Sequence, residues 1–537
     1  MSVLRVEGLD LEVSGAPILR KVGLTVDPGE IVAITGESGS GKSMTALAVM
    51  RLLPSGITRT AGDIALEGQS LTAFSEKEMC QIRGGRIGMI FQEPMTALNP
   101  VQTIGDQVAE TVRLHSGASR RAAFARAREV LNRVGLDEDR FPLSRYPHEL
   151  SGGQRQRVMI ALAIAERPAL LIADEPTTAL DVTTQAQILD LLKSLVSEYG
   201  MGLLIITHDL AVVAEFADRL VVMNDGQVVE SGPTADVIAH QRHPYTKALF
   251  EASGHQAHLP PIPIRRSQRP LLDVRDVVRS YPKPRESLFK RPSRLVAVDG
   301  VSFSIHAGER VGLVGESGCG KSTLTRAILG LEPVQAGSIR VDGIPPDRAH
   351  GRVQVVFQDP YGSFNPRHKV SRLVSEPFHL LDTPPTGAER DRLVGETLEA
   401  VGLTRDAADR YIHQFSGGQR QRIAIARALI LRPDLIVLDE AVSALDVSVR
   451  AKILDLLAGL SARFQLAYLF ISHDLSVVRS ITDRVMVMRA GQIVEEGPTS
   501  DVLGTPKHSY TRALIAAAPK LPERKEQEGS ADVLERL

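Results

Sequence analysis

Cysteine is nearly absent. Only Cys80 and Cys319 occur in 537 residues, too few for a disulfide framework or a four-cysteine metal site. The reading that goes with this is a cytosolic, reducing environment. Net charge is lacking too, with 63 Lys and Arg against 64 Asp and Glu. That removes the simplest argument for a nucleic-acid coat, which needs a net basic surface; a local basic patch stays compatible. No stretch approaches the ~20 apolar residues of a bilayer-spanning helix. The opening residues, Met-Ser-Val-Leu-Arg-Val-Glu-Gly-Leu-Asp, hold no basic leader followed by an apolar block, so no secretory signal is expected. If the protein serves transport, other chains must form the pore.

What is present is present twice. Gly36-Glu37-Ser38-Gly39-Ser40-Gly41-Lys42-Ser43 returns as Gly315-Glu316-Ser317-Gly318-Cys319-Gly320-Lys321-Ser322, and both fit the phosphate-loop pattern G-x-x-x-x-G-K-S/T. Each is followed by Ser-Gly-Gly-Gln-Arg, at Ser151 to Arg155 and at Ser416 to Arg420. The length prior alone suggests three or four folding units; the duplication sharpens this to two similar halves. From Ser151 to Glu175 and from Ser416 to Glu440 the spacing is 24 residues, and from Glu175 to His208 and Glu440 to His473 it is 33. From Gln92 to Ser151 it is 59, against 58 from Gln358 to Ser416. Only the stretch from lysine to glutamine differs, 50 from Lys42 to Gln92 against 37 from Lys321 to Gln358. This predicts an insertion near residues 57 to 84. A period this long means tandem domains rather than a solenoid.

Short apolar runs read as strands buried on both faces of a parallel sheet: Ile31 to Thr35, Leu170 to Ala173 and Leu203 to Thr207, with partners Val311 to Val314, Leu435 to Leu438 and Leu469 to Ser472. Chemistry-bearing residues follow each run, where doubly wound sheets bind ligands. Between glutamine and pentapeptide the pattern turns helical. Phe124, Ala127, Leu131 and Val134 share a face and Gly135 suits a stop; Val394, Leu398 and Val401 with Gly402 repeat the theme. The halves meet at Leu259-Pro260-Pro261-Ile262-Pro263-Ile264-Arg265-Arg266, read as an extended tether. The expected division is 1–250, a linker 251–270, 271–518, and a polar tail 519–537 expected to be partly disordered.

The loop glycines let the backbone curl so that N–H groups face phosphate oxygens, helped by the following helix N-terminus. Lys42 and Lys321 neutralise β- and γ-phosphate charge, and Ser43 and Ser322 offer hydroxyls to magnesium. Average residue usage predicts about one chance match per fifty chains of this length, so two matches, each after an apolar strand, leave chance negligible. Asp174 and Asp439 end strands, the place for a carboxylate that holds magnesium through water. Glu175 and Glu440 follow and could orient the attacking water. An Asp-Glu pair after a strand is otherwise an ordinary loop acid, and the upstream phosphate loop decides between the two. A lone histidine is more often structural, but equal spacing from the glutamates places His208 and His473 at the γ-phosphate. Gln92 and Gln358 carry weight only because they recur.

In that order, phosphate loop, glutamine loop, Ser-Gly-Gly-Gln signature, Asp-Glu and histidine resemble the nucleotide-binding domain of ATP-binding cassette (ABC) proteins, over about residues 3–250 and 271–518. The resemblance implies an α/β fold: two tandem P-loop domains, each a RecA-like α/β core with an antiparallel β edge and an inserted helical subdomain. It implies a head-to-tail sandwich of ATP and Mg2+ between one half's phosphate loop and the other half's signature. One site would join Gly36, Ser38, Gly39, Gly41, Lys42, Ser43, Gln92, Asp174, Glu175 and His208 to Ser416, Gly417, Gly418 and Gln419. The other would join Gly315, Ser317, Gly318, Gly320, Lys321, Ser322, Gln358, Asp439, Glu440 and His473 to Ser151, Gly152, Gly153 and Gln154. Gln92 and Gln358 would also reach magnesium, and Asp181 and Asp446 match the family's D-loop. Closure would be intramolecular, and both sites keep the catalytic pair.

Phe91-Gln92-Glu93-Pro94-Met95-Thr96-Ala97-Leu98-Asn99-Pro100, Phe357-Gln358-Asp359-Pro360 with Asn365-Pro366, and His243-Pro244-Tyr245-Thr246 echoed by His508-Ser509-Tyr510-Thr511 are similar to ATPases of bacterial dipeptide and oligopeptide importers. Fused forms, including glutathione and microcin-type peptide importers, share Ala467-Tyr468-Leu469-Phe470-Ile471-Ser472-His473-Asp474. The resemblance implies two membrane-spanning permease subunits, an extracytoplasmic binding protein, a peripheral place on the cytoplasmic face of the inner membrane, and no nucleic-acid partner. Three departures stand out. Tyr281 fits the adenine-stacking position while Val13 takes its place in the first half. Glu440 is followed by Ala441-Val442 where Glu175 has Pro176-Thr177. Two cysteines cannot supply the iron–sulfur cluster of some relatives. A nickel or opine importer, or an exporter, would share every catalytic residue. A ribosome-acting or DNA-repair twin cassette would bring a long charged linker, coiled coils or zinc cysteines, and none is seen.

Overall fold

The computed structural model describes residues 2–92, 97–178, 180–261, 269–282, 294–358, 362–443 and 445–521. Glu93 to Thr96, Asp359 and Pro360, most of the proline-rich join and nearly all of the expected tail lie outside them. The chain divides into two compact units, whose main spans are Met1–Leu180 with Thr184–Gly254, and His255–Ala518.

In the first unit, β1 (Leu4–Val13) and β2 (Ala16–Val26) form a hairpin, β3 (Ile31–Thr35) leads into the phosphate loop, and α1 (Lys42–Val49) follows. Next come β4 (Ile57–Leu66), β5 (Gln69–Ser70), α2 (Glu76–Ile82) and β6 (Ile87–Ile90). The helical subdomain holds α3 (Ile104–Ser116), α4 (Arg120–Arg133) and α5 (Gly152–Ile164). The chain then returns through β7 (Leu170–Asp174), α6 (Val182–Tyr199), β8 (Gly202–Ile206), α7 (Leu210–Phe216), β9 (Arg219–Asn224), β10 (Gln227–Pro233), α8 (Thr234–His240) and α9 (Pro244–Ser253).

The second unit repeats this path: β11 (Leu272–Pro282), β12 (Arg294–Ile305), β13 (Arg310–Val314), α10 (Lys321–Ile328), β14 (Ala336–Val341) and β15 (Val353–Val356). Then follow α11 (Val370–Ser375), α12 (Gly387–Ala400), α13 (Gly417–Leu429), β16 (Leu435–Asp439), α14 (Val447–Phe464), β17 (Ala467–Ile471), α15 (Leu475–Ile481), β18 (Arg484–Arg489), β19 (Gln492–Pro498), α16 (Thr499–Gly504) and α17 (Ser509–Ala517).

The core sheet runs β10-β9-β3-β8-β7-β6 in one unit and β19-β18-β13-β17-β16-β15 in the other. All neighbours are parallel except the edge strands β10 and β19, which pair antiparallel. Every residue of β3, β7, β8, β13 and β17 is buried. That explains their unbroken apolar runs, because helices cover both faces of a parallel sheet. Each fully buried Leu or Ile contributes about 1.5–3 kcal/mol. A smaller antiparallel sheet, β2-β1-β4-β5 or β12-β11-β14, packs one face inward, and β1 accordingly alternates between buried and exposed positions.

The predicted insertion corresponds to two features. β4 has ten residues where β14 has six, and α2 stands where the second unit has a single turn at Pro346–Arg348. Ser75 and Glu78 close a capping box at the start of α2, an arrangement worth about 1 kcal/mol. In α4 the buried face is Ala123, Ala127, Val130 and Leu131. Phe124 sits at its edge, half-buried, with Arg120 over its ring at 5.6 Å. Gly135 and Gly402 take φ of 80° and 75° at the ends of α4 and α12, as a left-handed stop requires. Among the described residues no helix is long and apolar enough to cross a membrane.

Candidate active site

The phosphate loops leave the C-terminal ends of β3 and β13, the central strands. Gly41 and Gly320 cap the following helices in the left-handed region, at φ 98° and 112°. A Cβ on Gly320 would lie 2.0 Å from the Ala297 carbonyl oxygen, so only glycine lets the loop pass. The strand hairpins hold the loops from behind: Gly226 N–H donates to Ser40 O (3.1 Å) and Gly491 N–H to Cys319 O (2.9 Å). Lys42 is buried, and its Nζ donates to Gly36 O (2.7 Å) and Glu37 O (2.8 Å). Lys321 repeats this with Gly315 O (2.7 Å) and Glu316 O (2.9 Å). The buried Cys319 thiol is pushed up by burial, against the pull of Lys321, which keeps it protonated and unreactive.

β8 lies beside β3, and β7 beside β8, so residues at their ends converge. Asp174 closes β7, and its Oδ1 accepts from Ser43 Oγ at 3.2 Å. Glu175 N–H continues the ladder to Ile206 O at 2.9 Å, after which the chain turns at φ 48°. Glu440 does the same against Ile471 O, at φ 50°. A non-glycine residue in this region costs of order 1 kcal/mol and persists only where its surroundings hold it. Glu175 Oε2 accepts from Gln92 Nε2 and from Thr178 Oγ1, both at 2.9 Å, and Oε1 lies 3.4 Å from His208 Nδ1. His473 Nδ1 stands 3.3 Å from Glu440 Oε1. There the hydroxyl of Ser443 turns to the Glu440 backbone carbonyl at 2.9 Å rather than to its carboxylate. Gln358 and Ser322 stand at the positions equivalent to Gln92 and Ser43.

The two adjacent acids are driven apart. Burial pushes Asp174 up to about 6, aided by the charge of Glu175 and opposed by Ser43 and Lys42. Burial would raise Glu175 as well. The hydrogen bond and charge of His208, with Thr178 and Gln92, outweigh it and hold the carboxyl at about 2. Asp439 is likewise raised by burial and by Glu440, and Glu440 is lowered against burial by His473. Neighbouring carboxyls with opposed shifts mark acid–base chemistry. Glu175 is ionised at neutral pH and too weak a base to keep a proton. It suits orienting and polarising a water.

Ser151 and Ser416 are N-caps of α5 and α13. Each accepts from the N–H of Gln154 or Gln419, and each glutamine side chain accepts the serine N–H in return. Gly153 and Gly418 pack tightly: a Cβ would come within 2.4 Å of Thr184 Cγ2 or Val449 Cγ1. Tyr281, near the end of β11, lies under Arg279 (4.9 Å to the ring), and its hydroxyl bonds Glu332. Val13 ends β1 and is 37% exposed. Sequence reasoning missed Thr178 and the left-handed turn of both glutamates. The only available signal was a hydroxyl residue three places after each glutamate.

A phosphate loop, an acid pair and a histidine at the ends of adjacent parallel strands define a nucleotide-hydrolysing P-loop domain, built here twice. The "ABC transporter" family model matches residues 19–178 and 298–443, and the "Oligopeptide/dipeptide transporter, C-terminal region" model matches 229–267 and 494–536. The glutathione import ATP-binding protein GsiA of Salmonella paratyphi A is 48% identical over 96% of this chain and 89% of that protein. Its counterpart in Escherichia coli K12 is 46% identical over 96% and 90%. Among solved structures, the ATP-binding cassette MJ0796, as a dimer in a post-hydrolysis state bound to ADP and Pi, is 32% identical over 43% of this chain and 98% of that one, with a TM-score of 0.39. The chain belongs to the ABC transporter family, in the form with two ATP-binding cassettes in one polypeptide, and is an ATPase.

Proposed function

We propose that the chain is the ATP-hydrolysing subunit of a binding-protein-dependent importer of peptides or peptide-like solutes. The relatives named for glutathione import, and the oligopeptide-type C-terminal segment in both halves, support that cargo class. It works from the cytoplasmic face of the inner membrane with two permease subunits and an extracytoplasmic binding protein. Exposed Phe91 and Phe357, beside the glutamines, and exposed Val101 suit the surface that receives a short permease helix. The residues 251–270 tether domains 1–250 and 271–518, which raises the effective concentration of one half for the other, and 519–537 form a polar tail.

In this reading the loop amides, with Lys42 and Lys321, bind the β- and γ-phosphates of ATP. Glu175 and Glu440 accept a hydrogen bond from the attacking water and aim it at the γ-phosphorus, giving ADP and phosphate. His208 and His473 hold those carboxylates ionised and in place. Ser43, Asp174 and Gln92, with Ser322, Asp439 and Gln358, are the hard oxygen donors that suit Mg2+. Asp174, a buried carboxylate whose Oδ1 sits 3.2 Å from the Ser43 hydroxyl, fits a cation held between the two. Magnesium, when bound, neutralises charge on the β- and γ-oxygens. Ser416, Gly418 and Gln419 complete the first cassette's nucleotide, and Ser151, Gly153 and Gln154 the second's, while Tyr281 stacks on adenine.

The observation that carries the reading is the strained glutamate braced by His208, Gln92 and Thr178 beside a phosphate loop. Changing Glu175→Gln and Glu440→Gln together should abolish phosphate release while ATP-dependent closure persists. Robust hydrolysis by that double variant would refute the assigned roles. Reconstitution with the permease subunits and binding protein, assayed with labelled di- and oligopeptides, tests the cargo.

A further inference from the structure

The His-x-Tyr-Thr segment that follows each core has no part in the steps above, yet its tyrosine reaches the phosphate loop. On β10, Glu230 accepts from the N–H groups of Arg242 (2.9 Å) and His243 (3.0 Å), which pins the entry to α9. His243 Nδ1 accepts from Tyr245 N–H at 3.2 Å and so caps that helix. Thr246 is fully buried. The phenol oxygen of Tyr245 then accepts from Glu37 N–H at 2.9 Å, across 208 residues of chain. The second cassette builds the same links separately. Glu495 accepts from Lys507 N–H (2.8 Å) and His508 N–H (3.0 Å), His508 Nδ1 from Tyr510 N–H (3.1 Å), and Tyr510 Oη from Glu316 N–H (3.0 Å).

Glu37 and Glu316 are the second residues of their loops. Each glutamate carbonyl is one of the two that its loop lysine grips, at 2.8 and 2.9 Å, the other being that of Gly36 or Gly315. Each residue is therefore held at both backbone groups, the N–H by the tyrosine and the C=O by the lysine. A part-buried N–H deprived of its acceptor relaxes toward water or another partner, and here the lysine's anchor would move with it. We propose that Tyr245 and Tyr510 are positioning residues of the two ATP sites, through which the C-terminal segment of each cassette sets the phosphate loop and its lysine for the triphosphate. This rests on the assignment of Lys42 and Lys321 as triphosphate ligands. The two copies differ in degree. Tyr510 is buried, with Arg489 over its ring at 4.9 Å, whereas Tyr245 is half-buried and water can better replace its oxygen.

The test uses the full chain and trinitrophenyl-ATP with magnesium. Tyr245→Phe is measured in a Lys321→Ala background and Tyr510→Phe in a Lys42→Ala background, so that one site is read at a time. Losing the acceptor should weaken binding about fivefold or more at the second site and about threefold at the first. In the importer complex, the Tyr245→Phe/Tyr510→Phe double variant should show a raised KM for ATP with kcat within about twofold. Amide exchange in residues 33–44 and 312–323 should quicken. Glu495→Gln, which loosens the same chain one step back, should shift affinity the same way but less. Unchanged affinity and loop exchange, or a fall in kcat at constant KM, overturns the proposal, as does a lowered melting temperature with no change in affinity. If the Lys42→Ala/Lys321→Ala double variant binds the probe as tightly as the parent, the lysine assignment itself fails, a distinct result.

Discussion

Glu175 shows what a single residue is made to do. Its backbone sits where glycine would be relaxed, while its carboxylate takes three hydrogen-bonding neighbours. The strain can be isolated by comparing two variants that both lack the carboxylate. Glu175→Gly should be more stable than Glu175→Ala by about 1 kcal/mol in thermal or urea unfolding, because alanine keeps the unfavourable left-handed backbone. Neither should support turnover at the first site. Equal stabilities would mean that the turn is unstrained. Thr178→Val removes one donor to the carboxylate at little change in volume, and a fall in kcat of about three- to tenfold is expected in single-turnover assays.

At the scale of elements, the active residues come together because β7 and β8 stack beside β3 and end at the same level. That much was legible from the sequence: a strand ending in Asp-Glu and another ending before histidine, with equal spacing in both halves. The helical subdomain was legible in part. The periodicity over α4 was right, but it placed Phe124 on the buried face, where the shorter Ala123 packs instead. Periodicity alone cannot tell a residue at the edge of a face from one at its centre. The entries to α9 and α17 carry a pH prediction. Burial would raise Glu230 and Glu495, but the hydrogen bonds they accept outweigh it and hold both carboxyls below their ordinary range. Lowered acids stabilise above the unfolded value of about 4.3, and that contribution is lost as pH falls through the lower native value. Protection factors for hydrogen exchange over residues 240–253 and 505–517, with the intrinsic pH dependence of exchange divided out, should therefore hold from neutrality to about pH 5 and fall below about pH 4. Unchanged protection would refute the clamp.

For the molecule as a whole, the two cassettes share a topology but not every side chain. The second cassette has an aromatic ring, Tyr281, at the position proposed to stack on adenine, whereas the first has Val13 there. Base–aromatic stacking is worth about 1–3 kcal/mol, so the second site should bind ATP more tightly, by about fivefold or more, when each is read in the absence of the other loop lysine. Val13→Tyr should narrow the gap. Equal affinities in the parent chain would show that Tyr281 serves only its bonds to Arg279 and Glu332.

The residues themselves determined the duplication, the order and spacing of the chemical groups, and the parallel sheet. Those are local facts: an apolar run must be buried, and a glycine-rich turn after it must curl. Tertiary structure alone decided that Gln92 meets the Glu175 carboxylate from 83 residues away, that both glutamates turn left-handed, and that a tyrosine 208 residues away holds the phosphate loop. Such contacts arise only when separate strands and helices close around one another, because the free energy that tolerates a strained backbone, or satisfies a distant N–H, comes from packing that no short stretch of chain contains.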